Sequence, residues 1–282
     1  MNKEKIGIVL EGGGMRGIYT VGVLDHFLEQ NIFPDYVVGV SAGACHGVSY
    51  ISKQHGRSYR INTNYVKDKR YVSLRNYLKT KSLFGMDFIF NEISHKLDPF
   101  DYDAFLSSPV DFAVGVTDVM TGKPAYFYKE DLNRNSDALR ASSSIPVFSP
   151  IVEYKGGKYL DGGTADPIPV QKALEDGCTK LIIVLTRDRG YVKTPEKFRM
   201  IYKRSFAQYP EMISLLDERH EIYNQALACV NDLEREGKAI VIAPSSPLNT
   251  GRFEKNPVKL EQVYQLGRKD AEQSSALISG LF

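Results

Sequence analysis

Two short glycine motifs near the start of this 282-residue chain carry residue types that could do chemistry. Residues 12–17 (GGGMRG) follow one apolar run, and residues 39–43 (GVSAG) follow the next. A glycine loop that opens a helix presents backbone N–H groups, which can stabilise an oxyanion. A G-x-S-x-G turn between a strand and a helix exposes its serine, here Ser41, as a nucleophile. Together the two motifs indicate a serine acyl hydrolase.

Each motif also has an alternative interpretation. Ser41 could simply cap a helix, and a G-x-G-x-x-G loop after a strand is also typical of dinucleotide-binding proteins. The dinucleotide fold needs an acidic residue at the end of its second strand, whereas Asp35 lies at the other end of that strand here. Glu11 and Arg16 are also unusual beside a pyrophosphate. Nucleotide binding by residues 12–17 is therefore the weaker alternative.

A serine nucleophile needs a base. Of the five histidines, only His220 follows most of the acidic residues, and it lies in an acidic stretch typical of a solvated helix face. His46 is expected to pack within its own helix. Asp161 is the better candidate, because it ends a predicted strand and the two glycines after it allow a close approach. Taken alone, however, an ordinary Asp-Gly turn would be the simpler explanation of Asp161.

The elements that must position these residues are predicted from apolar patterning. Residues 6–10 and 36–40 predict buried strands, residues 15–31 predict a helix between them, and a second helix begins near Ser41. This β-α-β-α order predicts a parallel sheet covered by helices. Residues 190–282 are expected to be mainly helical. The other predicted elements are helices at 136–145 and 168–176 and strands at 110–118, 124–128, 151–154, 158–160, 180–186 and 239–243.

Composition narrows the class of protein. The formal net charge of +2 favours no particular partner. The three cysteines, Cys45, Cys178 and Cys229, form no zinc-binding pattern, so no metal site is expected. No stretch approaches the roughly 18 apolar residues that a membrane-spanning helix needs. These features predict a cytoplasmic protein with reduced thiols.

Residues 53–90 form the most unusual segment. Residues 53–81 hold nine Lys or Arg against one acid, Asp68, with tyrosines between them, and residues 83–90 are largely apolar. Such a segment can contact an anionic membrane surface, although a basic run is also typical of a plain solvated face. No recognition motif for nucleic acid accompanies it. The sequence therefore predicts peripheral membrane contact through 53–90 and no nucleic-acid partner.

Three motifs, taken in order, resemble those of bacterial patatin-like phospholipases. That family has a G-G-G-x-R/K-G loop, a G-x-S-x-G elbow and a D-G-A/G motif, which correspond here to residues 12–17, 39–43 and 161–163. Residues 141–146 (ASSSIP) also resemble the family's small-residue segment before a proline. The resemblance covers about residues 5–186.

The resemblance implies a fold as well as a family. It implies a three-layer α/β/α arrangement with a central, mostly parallel sheet. The catalytic core would span residues 5–186, and a mainly helical region, 187–282, would pack on that core without forming an independent domain.

The resemblance also implies a chemistry. Ser41 would attack the carboxylic ester of a lipid, such as a phospholipid or lysophospholipid, and would pass its proton to Asp161 without a histidine or a cofactor. A catalytically idle module or a non-lipid esterase of the same fold is the alternative. The oxyanion would be held by Gly12, Gly13, Gly14, Arg16 and Gly17, and the motifs would be supported by Gly39, Gly43, Gly162 and Gly163.

Overall fold

A mixed sheet lies at the centre of the computed structural model, which describes residues 4–281; residue 282, at the end of the predicted helical region, lies outside that range. Within the described residues the strands are β1 (Ile6–Leu10), β2 (Tyr36–Val40), β3 (Asp111–Asp118), β4 (Pro124–Tyr128), β5 (Val152–Tyr154), β6 (Gly157–Asp161), β7 (Lys180–Val184) and β8 (Ala239–Ile242). Their order is β5-β6-β3-β2-β1-β7-β8, with β4 also paired to β3. Strands β3, β2, β1, β7 and β8 are parallel to one another, and β4, β5 and β6 pair antiparallel.

Helices cover both faces of this sheet. They are α1 (Ile18–Glu29), α2 (Ala42–Ile51), α3 (Arg57–Asn64), α4 (Leu74–Thr80), α5 (Tyr102–Ser107), α6 (Asp137–Ser142), α7 (Val170–Glu175), α8 (Arg199–Ser205), α9 (Pro210–Arg235) and α10 (Pro257–Ser279). Because side chains alternate along a strand, Ile8 and Leu10 of β1 pack in a core shared with α1, α2 and α10, whereas Val9 packs in a second core with α7 and α9. The predicted three-layer α/β/α fold with a mostly parallel sheet is confirmed.

Several predicted bounds shift for local reasons. The helix predicted over 15–31 begins only at Ile18, because Gly14 has a positive φ of 58° and a tight 3-10 turn, Gly14–Gly17, precedes the helix. The strand predicted over 180–186 ends at Val184. Beyond it the chain turns so that the amide of Thr186 can donate to Glu11. The division into a 5–186 core and a helical region stays a prediction.

Residues 53–97 fold into helical elements, and most of the apolar side chains outside α4 point inward. Helices α3 and α4 are followed by a π-helical segment, Phe88–Leu97, which is long for this rare conformation. Phe88 and Phe90 are each only 6% exposed, whereas Leu74 and Leu78 of α4 are 75% and 76% exposed. The apolar part of this segment that faces solvent is therefore α4 rather than residues 83–90.

The first and last helices of the described chain are in close contact. The Tyr19 hydroxyl of α1 donates to Asp270 of α10 at 2.9 Å, and the Tyr264 hydroxyl of α10 donates to Asp25 of α1 at 2.9 Å. A Cβ placed on Gly22 would lie 2.1 Å from the Tyr264 carbonyl oxygen, so the two backbones can approach this closely only with a glycine there. This contact ties the C-terminal helix to the helix that follows the glycine loop.

Candidate active site

Ser41 lies on a strained turn between β2 and α2. Its backbone has φ 53° and ψ −127°, a conformation that non-glycine residues rarely adopt and that costs about 1–3 kcal/mol. Its amide donates to the Ser142 hydroxyl at 2.8 Å, which in turn donates to the Gly115 carbonyl at 2.7 Å. The Ser41 side chain makes no capping hydrogen bond, so the interpretation of this residue as a plain helix cap is wrong.

Asp161 reaches Ser41 because of the register of the sheet. Val40 lies opposite Gly115 on β3, and Asp161 at the end of β6 lies opposite the next residue, Val116. The Ser41 hydroxyl donates to Asp161 Oδ2 at 2.7 Å. The other carboxylate oxygen accepts the amide of Gly163 at 2.8 Å. Ser41 and Asp161, which are far apart in the sequence, thus meet near the carboxyl ends of the central parallel strands.

Burial sets the proton affinity of this aspartate. Asp161 is only 7% exposed. Loss of solvation raises the pKa of its carboxyl above the usual value, while the hydrogen bond from Ser41 and the positive charges of Arg219 and Arg252 oppose the rise. A carboxylate with a raised pKa is a stronger base towards the serine hydroxyl.

Among the described residues, no histidine bonds to Ser41 or Asp161. His46 is buried in α2, and burial lowers its pKa to about 4, so it is neutral near pH 7. His220 lies on α9, where its Nδ1 is 3.1 Å from the Asp217 carbonyl oxygen and its Nε2 is 3.7 Å from Glu221. The geometry offers Ser41 a carboxylate and no imidazole.

The glycine loop presents free amides beside Ser41. In the described part of the chain, the amides of Gly12, Gly13 and Gly14 donate to no other backbone group. The next amide, on Met15, donates to the Arg252 carbonyl at 3.1 Å. A Cβ built on Gly12 would lie 3.1 Å from the Ser41 Cβ, which shows how near the loop is to the nucleophile. Three free donors therefore line the same cleft as the serine.

Four other motif glycines, Gly17, Gly39, Gly43 and Gly162, do not line the cleft and allow close packing behind it. Gly17 was expected at the oxyanion site, but a Cβ there would lie 2.7 Å from the Ala42 Cβ, and Gly17 is not among the lining residues. A Cβ on Gly39 would lie 2.7 Å from the Ala44 amide nitrogen, and one on Gly43 would lie 2.5 Å from the Leu10 carbonyl oxygen. At Gly162 the corresponding distance to the Gly115 carbonyl oxygen is 2.1 Å. These glycines bring the elements of the site together.

Two cavities meet at Ser41. One is a cleft of about 470 Å³, lined by the glycine loop, Asp161 and residues of α4, α8 and α9. The other is a mainly apolar cavity of about 120 Å³ that extends beneath α3 and the π-helical segment. Ser41, Gly14 and Ile145 border both cavities. Ser41 therefore lies at the junction of a wide cleft that includes cationic side chains and a narrower, mainly apolar cavity.

Sequence reasoning missed the cationic side chains of the cleft. Its positive lining residues are Arg16, Arg187, Lys193, Arg219 and Arg252. Lys193 and Arg219 share one carboxylate, Glu196, at 3.0 Å and 2.8 Å. Arg219 also donates to the Gly163 carbonyl at 3.0 Å. Except for Arg16, these residues lie outside the motifs, so no local pattern marks them.

Glu11 was not expected to have a role, yet it fixes the start of the glycine loop. It is 2% exposed, and burial raises its pKa. One carboxylate oxygen accepts the Thr186 amide at 2.5 Å, and the other accepts the Tyr223 hydroxyl of α9 at 2.8 Å. The Thr186 hydroxyl also donates to the Gly12 carbonyl at 2.9 Å. The C-terminal region thereby holds the loop in place.

Within the described residues 4–281, no group of three or more His, Cys, Asp or Glu side chains is arranged to hold a metal ion. No helix in this range is both long and apolar enough to cross a membrane.

Comparisons with known proteins agree with the motifs. The model of the patatin-like phospholipase family matches residues 8–174, and that of a domain of unknown function, DUF6363, matches residues 209–280. The uncharacterized protein YjjU of Escherichia coli is 27% identical over 270 residues, which cover 94% of this chain and 75% of YjjU. The lysophospholipase NTE1 of Scheffersomyces stipitis is 24% identical over 292 residues, which cover 97% of this chain but only 18% of NTE1. The crystal structure of VipD from Legionella pneumophila aligns with a TM-score of 0.48 and 14% identity, covering 99% of this chain and 67% of VipD.

Proposed function

Because the chain belongs to the patatin-like phospholipase family and is thus an ester-bond hydrolase, we propose that it cleaves carboxylic esters of lipids through Ser41 and Asp161. The observation that carries this proposal is the 2.7 Å hydrogen bond from the Ser41 hydroxyl to Asp161, at the junction of the two cavities. A serine paired with a buried carboxylate and facing free backbone amides has the parts that acyl transfer requires.

The proposed reaction has two steps. Asp161 accepts the Ser41 proton as the hydroxyl attacks the ester carbonyl, and the amides of Gly12, Gly13 and Gly14 stabilise the negative oxygen. The tetrahedral intermediate collapses, the alcohol leaves with a proton from Asp161, and an acyl-serine remains. Asp161 then activates water, which releases the fatty acid and restores the serine. Because the turn holds Ser41 in place before substrate binds, little reorganisation accompanies the attack.

The apolar cavity supports a lipid as the substrate. Its walls include Ile61, Phe84, Met86 and Phe90, and it opens at Ser41. An acyl chain lying there would be removed from water, which is favourable by about 0.8 kcal/mol per buried CH₂ group. The relative NTE1 of Scheffersomyces stipitis is named a lysophospholipase, which agrees with a substrate that carries one or more fatty acyl chains.

The mouth of the cleft supports contact with a membrane surface. Three apolar side chains line the cleft and are nevertheless exposed. They are Leu74 of α4, which is 75% exposed, Phe198 immediately before α8, which is 69% exposed, and Ile201 within α8, which is 51% exposed. Apolar side chains next to lysines and arginines are typical of surfaces that lie on anionic lipid. We expect the double substitution Leu74→Ser and Leu78→Ser to reduce co-sedimentation with anionic vesicles. Equal binding of vesicles by the variant and wild type would mean that α4 is not part of the membrane-contacting surface.

A lipid-hydrolysis screen tests the proposal directly. Wild type and Ser41→Ala are incubated with a mixed lipid extract, and released fatty acids are quantified by mass spectrometry, with p-nitrophenyl butyrate as a simple ester. We expect release by wild type alone. Hydrolysis of p-nitrophenyl butyrate without lipid turnover would favour a non-lipid esterase, and no turnover of either would favour an idle module.

A further inference from the structure

The charge of the cleft exceeds what the chemistry of the Ser41–Asp161 pair requires. Five cationic side chains line it, against three carboxyl groups, Glu11, Asp161 and Glu196. Even with all three carboxyl groups ionised, two positive charges are left over. A developing oxyanion is a single transient charge that backbone amides can hold, so these cations need another explanation.

Three of the arginines are not directly bonded to an anion. In the described part of the chain, no hydrogen bond or ion pair is formed by the side chains of Arg16, Arg187 and Arg252. The carboxylates of Glu11, near Arg16, and of Asp161 and Glu196, near Arg252, act on them only through their charge. Arg16 is only 6% exposed, and its Nε is buried without an acceptor. Arg187 lies over the Tyr191 ring at 4.3 Å, which orients its guanidinium group. Arg187 and Arg252 are half-buried. Since a charge that is removed from water without a bonded partner is costly, this arrangement indicates a place for an anionic ligand.

The arginines are also tied to the loops that carry the reaction. Arg219 donates to the carbonyl of Gly163, the residue whose amide bonds to Asp161. The Arg252 carbonyl accepts the amide of Met15, immediately after the three glycines. An anion held by these side chains would therefore lie near the scissile ester and on the alcohol side of Ser41, because the apolar cavity takes the acyl side.

We propose that the cleft binds a phosphate monoester, and that the preferred substrate is an acyl ester of a phosphorylated alcohol with an uncapped, dianionic phosphate. The planar guanidinium groups match phosphate oxygens in pairs, which a lysine or an amide does not do as well. A dianion neutralises the two excess charges, whereas a zwitterionic headgroup leaves them largely unbalanced. The proposal rests on the acyl hydrolase function proposed above and assigns the headgroup of its substrate.

Short-chain substrates allow the test to be made in solution. Hexanoyl glycerol phosphate, hexanoyl glycerophosphocholine and monohexanoyl glycerol share one acyl group and, used below their critical micelle concentrations, present no lipid surface. We expect wild type to show the highest kcat/KM for the phosphate monoester. We also expect inorganic phosphate, the free form of the same chemistry, to inhibit competitively.

Variants then locate the selectivity in the cleft. Arg187→Gln and Arg252→Gln should each reduce the ratio of kcat/KM for the phosphate monoester to that for the neutral ester by about 30-fold, as loss of a buried charge partner does elsewhere. Arg252→Lys should recover part of the ratio, because it keeps the charge but not the planar group. Arg189→Gln is the matched control: Arg189 is exposed and paired with Glu234 outside the cleft, so the ratio should not change.

The outcomes separate the two proposals. Equal kcat/KM values of wild type for all three esters, or equal losses for all three in both glutamine variants, would overturn the phosphate site and leave the hydrolase intact. Preference of wild type for the phosphocholine ester would overturn the proposed selectivity for a dianionic phosphate. No ester hydrolysis by wild type, with phosphate binding still detected by calorimetry and weakened in Arg187→Gln, would overturn the hydrolase and leave the phosphate site. Circular dichroism and a thermal melt verify that each variant is folded.

Discussion

The two walls of the cleft are built in different ways. The wall that carries the proposed chemistry comes from three short motifs within residues 8–174, where the glycine loop and Ser41 each follow a strand and Asp161 ends one. The cationic wall comes mainly from residues beyond 186, such as Arg187, Arg219 and Arg252, which lie on separate elements. The chemical wall is fixed by local geometry, whereas the cationic wall depends on how distant segments pack.

This difference indicates how the work of the protein is divided. The strained serine, the aspartate and the free amides suit any carboxylic ester, and nothing in them distinguishes one alcohol from another. In the proposed phosphate site the side chains of Arg187 and Arg252 face the alcohol side, and within residues 4–281 neither side chain bonds to a motif residue, so both can vary without disturbing the motifs. We therefore expect substitutions in the chemical wall to reduce turnover of every ester, and substitutions in the cationic wall to change the preference among esters.

The largest effect should follow from Ser41→Ala. Removal of the nucleophile should lower turnover by about 10⁶, as in other serine hydrolases, for all esters alike. Relief of the strained φ is small, because alanine has a Cβ as well. Steady-state kinetics on a soluble ester measure the loss. Near-normal activity of Ser41→Ala would mean that the three motifs do not carry out the ester hydrolysis.

Asp161→Asn should be nearly as damaging as the loss of the serine. The amide can still accept the Gly163 amide proton, but it cannot take the proton of Ser41. His220→Ala is the matched control, and it should be close to neutral because His220 bonds to Asp217 and Glu221 instead. If Asp161→Asn is active and His220→Ala is inactive, the Ser41–Asp161 dyad is wrong and a catalytic triad must be sought.

Gly14→Ala should lower turnover by roughly 10²–10³, the effect of losing one oxyanion donor elsewhere. Gly14 has φ 58°, and an added Cβ would lie 2.8 Å from the Arg252 carbonyl oxygen, so the loop must move. KM should change little, since the donors act mainly in the transition state. A rise in KM at constant kcat would assign the loop to substrate binding. Nucleotide binding by wild type in calorimetry, without ester turnover, would favour the dinucleotide alternative.

Tyr223→Phe tests the connection between the two walls. The substitution removes the hydroxyl that donates to Glu11 and leaves one buried carboxylate oxygen without that donor, at about 1–3 kcal/mol. We expect an approximately ten-fold loss of kcat for every ester, in line with about 1.4 kcal/mol. A change in the preference among esters, with kcat unaltered, would instead place Tyr223 in the selective wall.

The smallest effect concerns stability and pH. Burial raises the pKa of Asp161 in the folded state. The contribution of this group to the free energy of unfolding is therefore fully present below its pKa in the unfolded chain, about 4. That contribution is lost as the pH rises through the pKa of the folded state. At pH 7 we therefore expect Asp161→Asn to have a higher melting temperature than wild type. The corresponding gain in the free energy of unfolding is about 1.4 kcal/mol per unit of raised pKa. The difference should shrink towards pH 4. In wild type, kcat/KM should fall as Asp161 is protonated. A lower melting temperature of the variant at pH 7 would mean that the carboxylate stabilises the fold.

The sequence predicted one wall far better than the other, for a physical reason. Parallel strands and the turns after them leave short, local signals, so the sheet and the positions of Ser41 and Asp161 could be predicted. Arg252 lies in an irregular loop, and its place beside Gly14 depends on a contact 238 residues away along the chain. Residues 53–90 were predicted only as basic and apolar. Their inward packing follows from tertiary burial, which outweighs local composition.

The contact between α1 and α10 has a consequence for the timing of synthesis. Tyr19 and Asp270 are 251 residues apart, and a ribosome adds roughly 5–20 residues each second. The helix after the glycine loop therefore waits tens of seconds for its partner, and Arg252, which holds the loop at Met15, emerges almost as late. A nascent chain with Ser41 and Asp161 already translated still lacks the support for its oxyanion donors. In the proposed mechanism, Ser41 can therefore act only after nearly the whole described chain has been made.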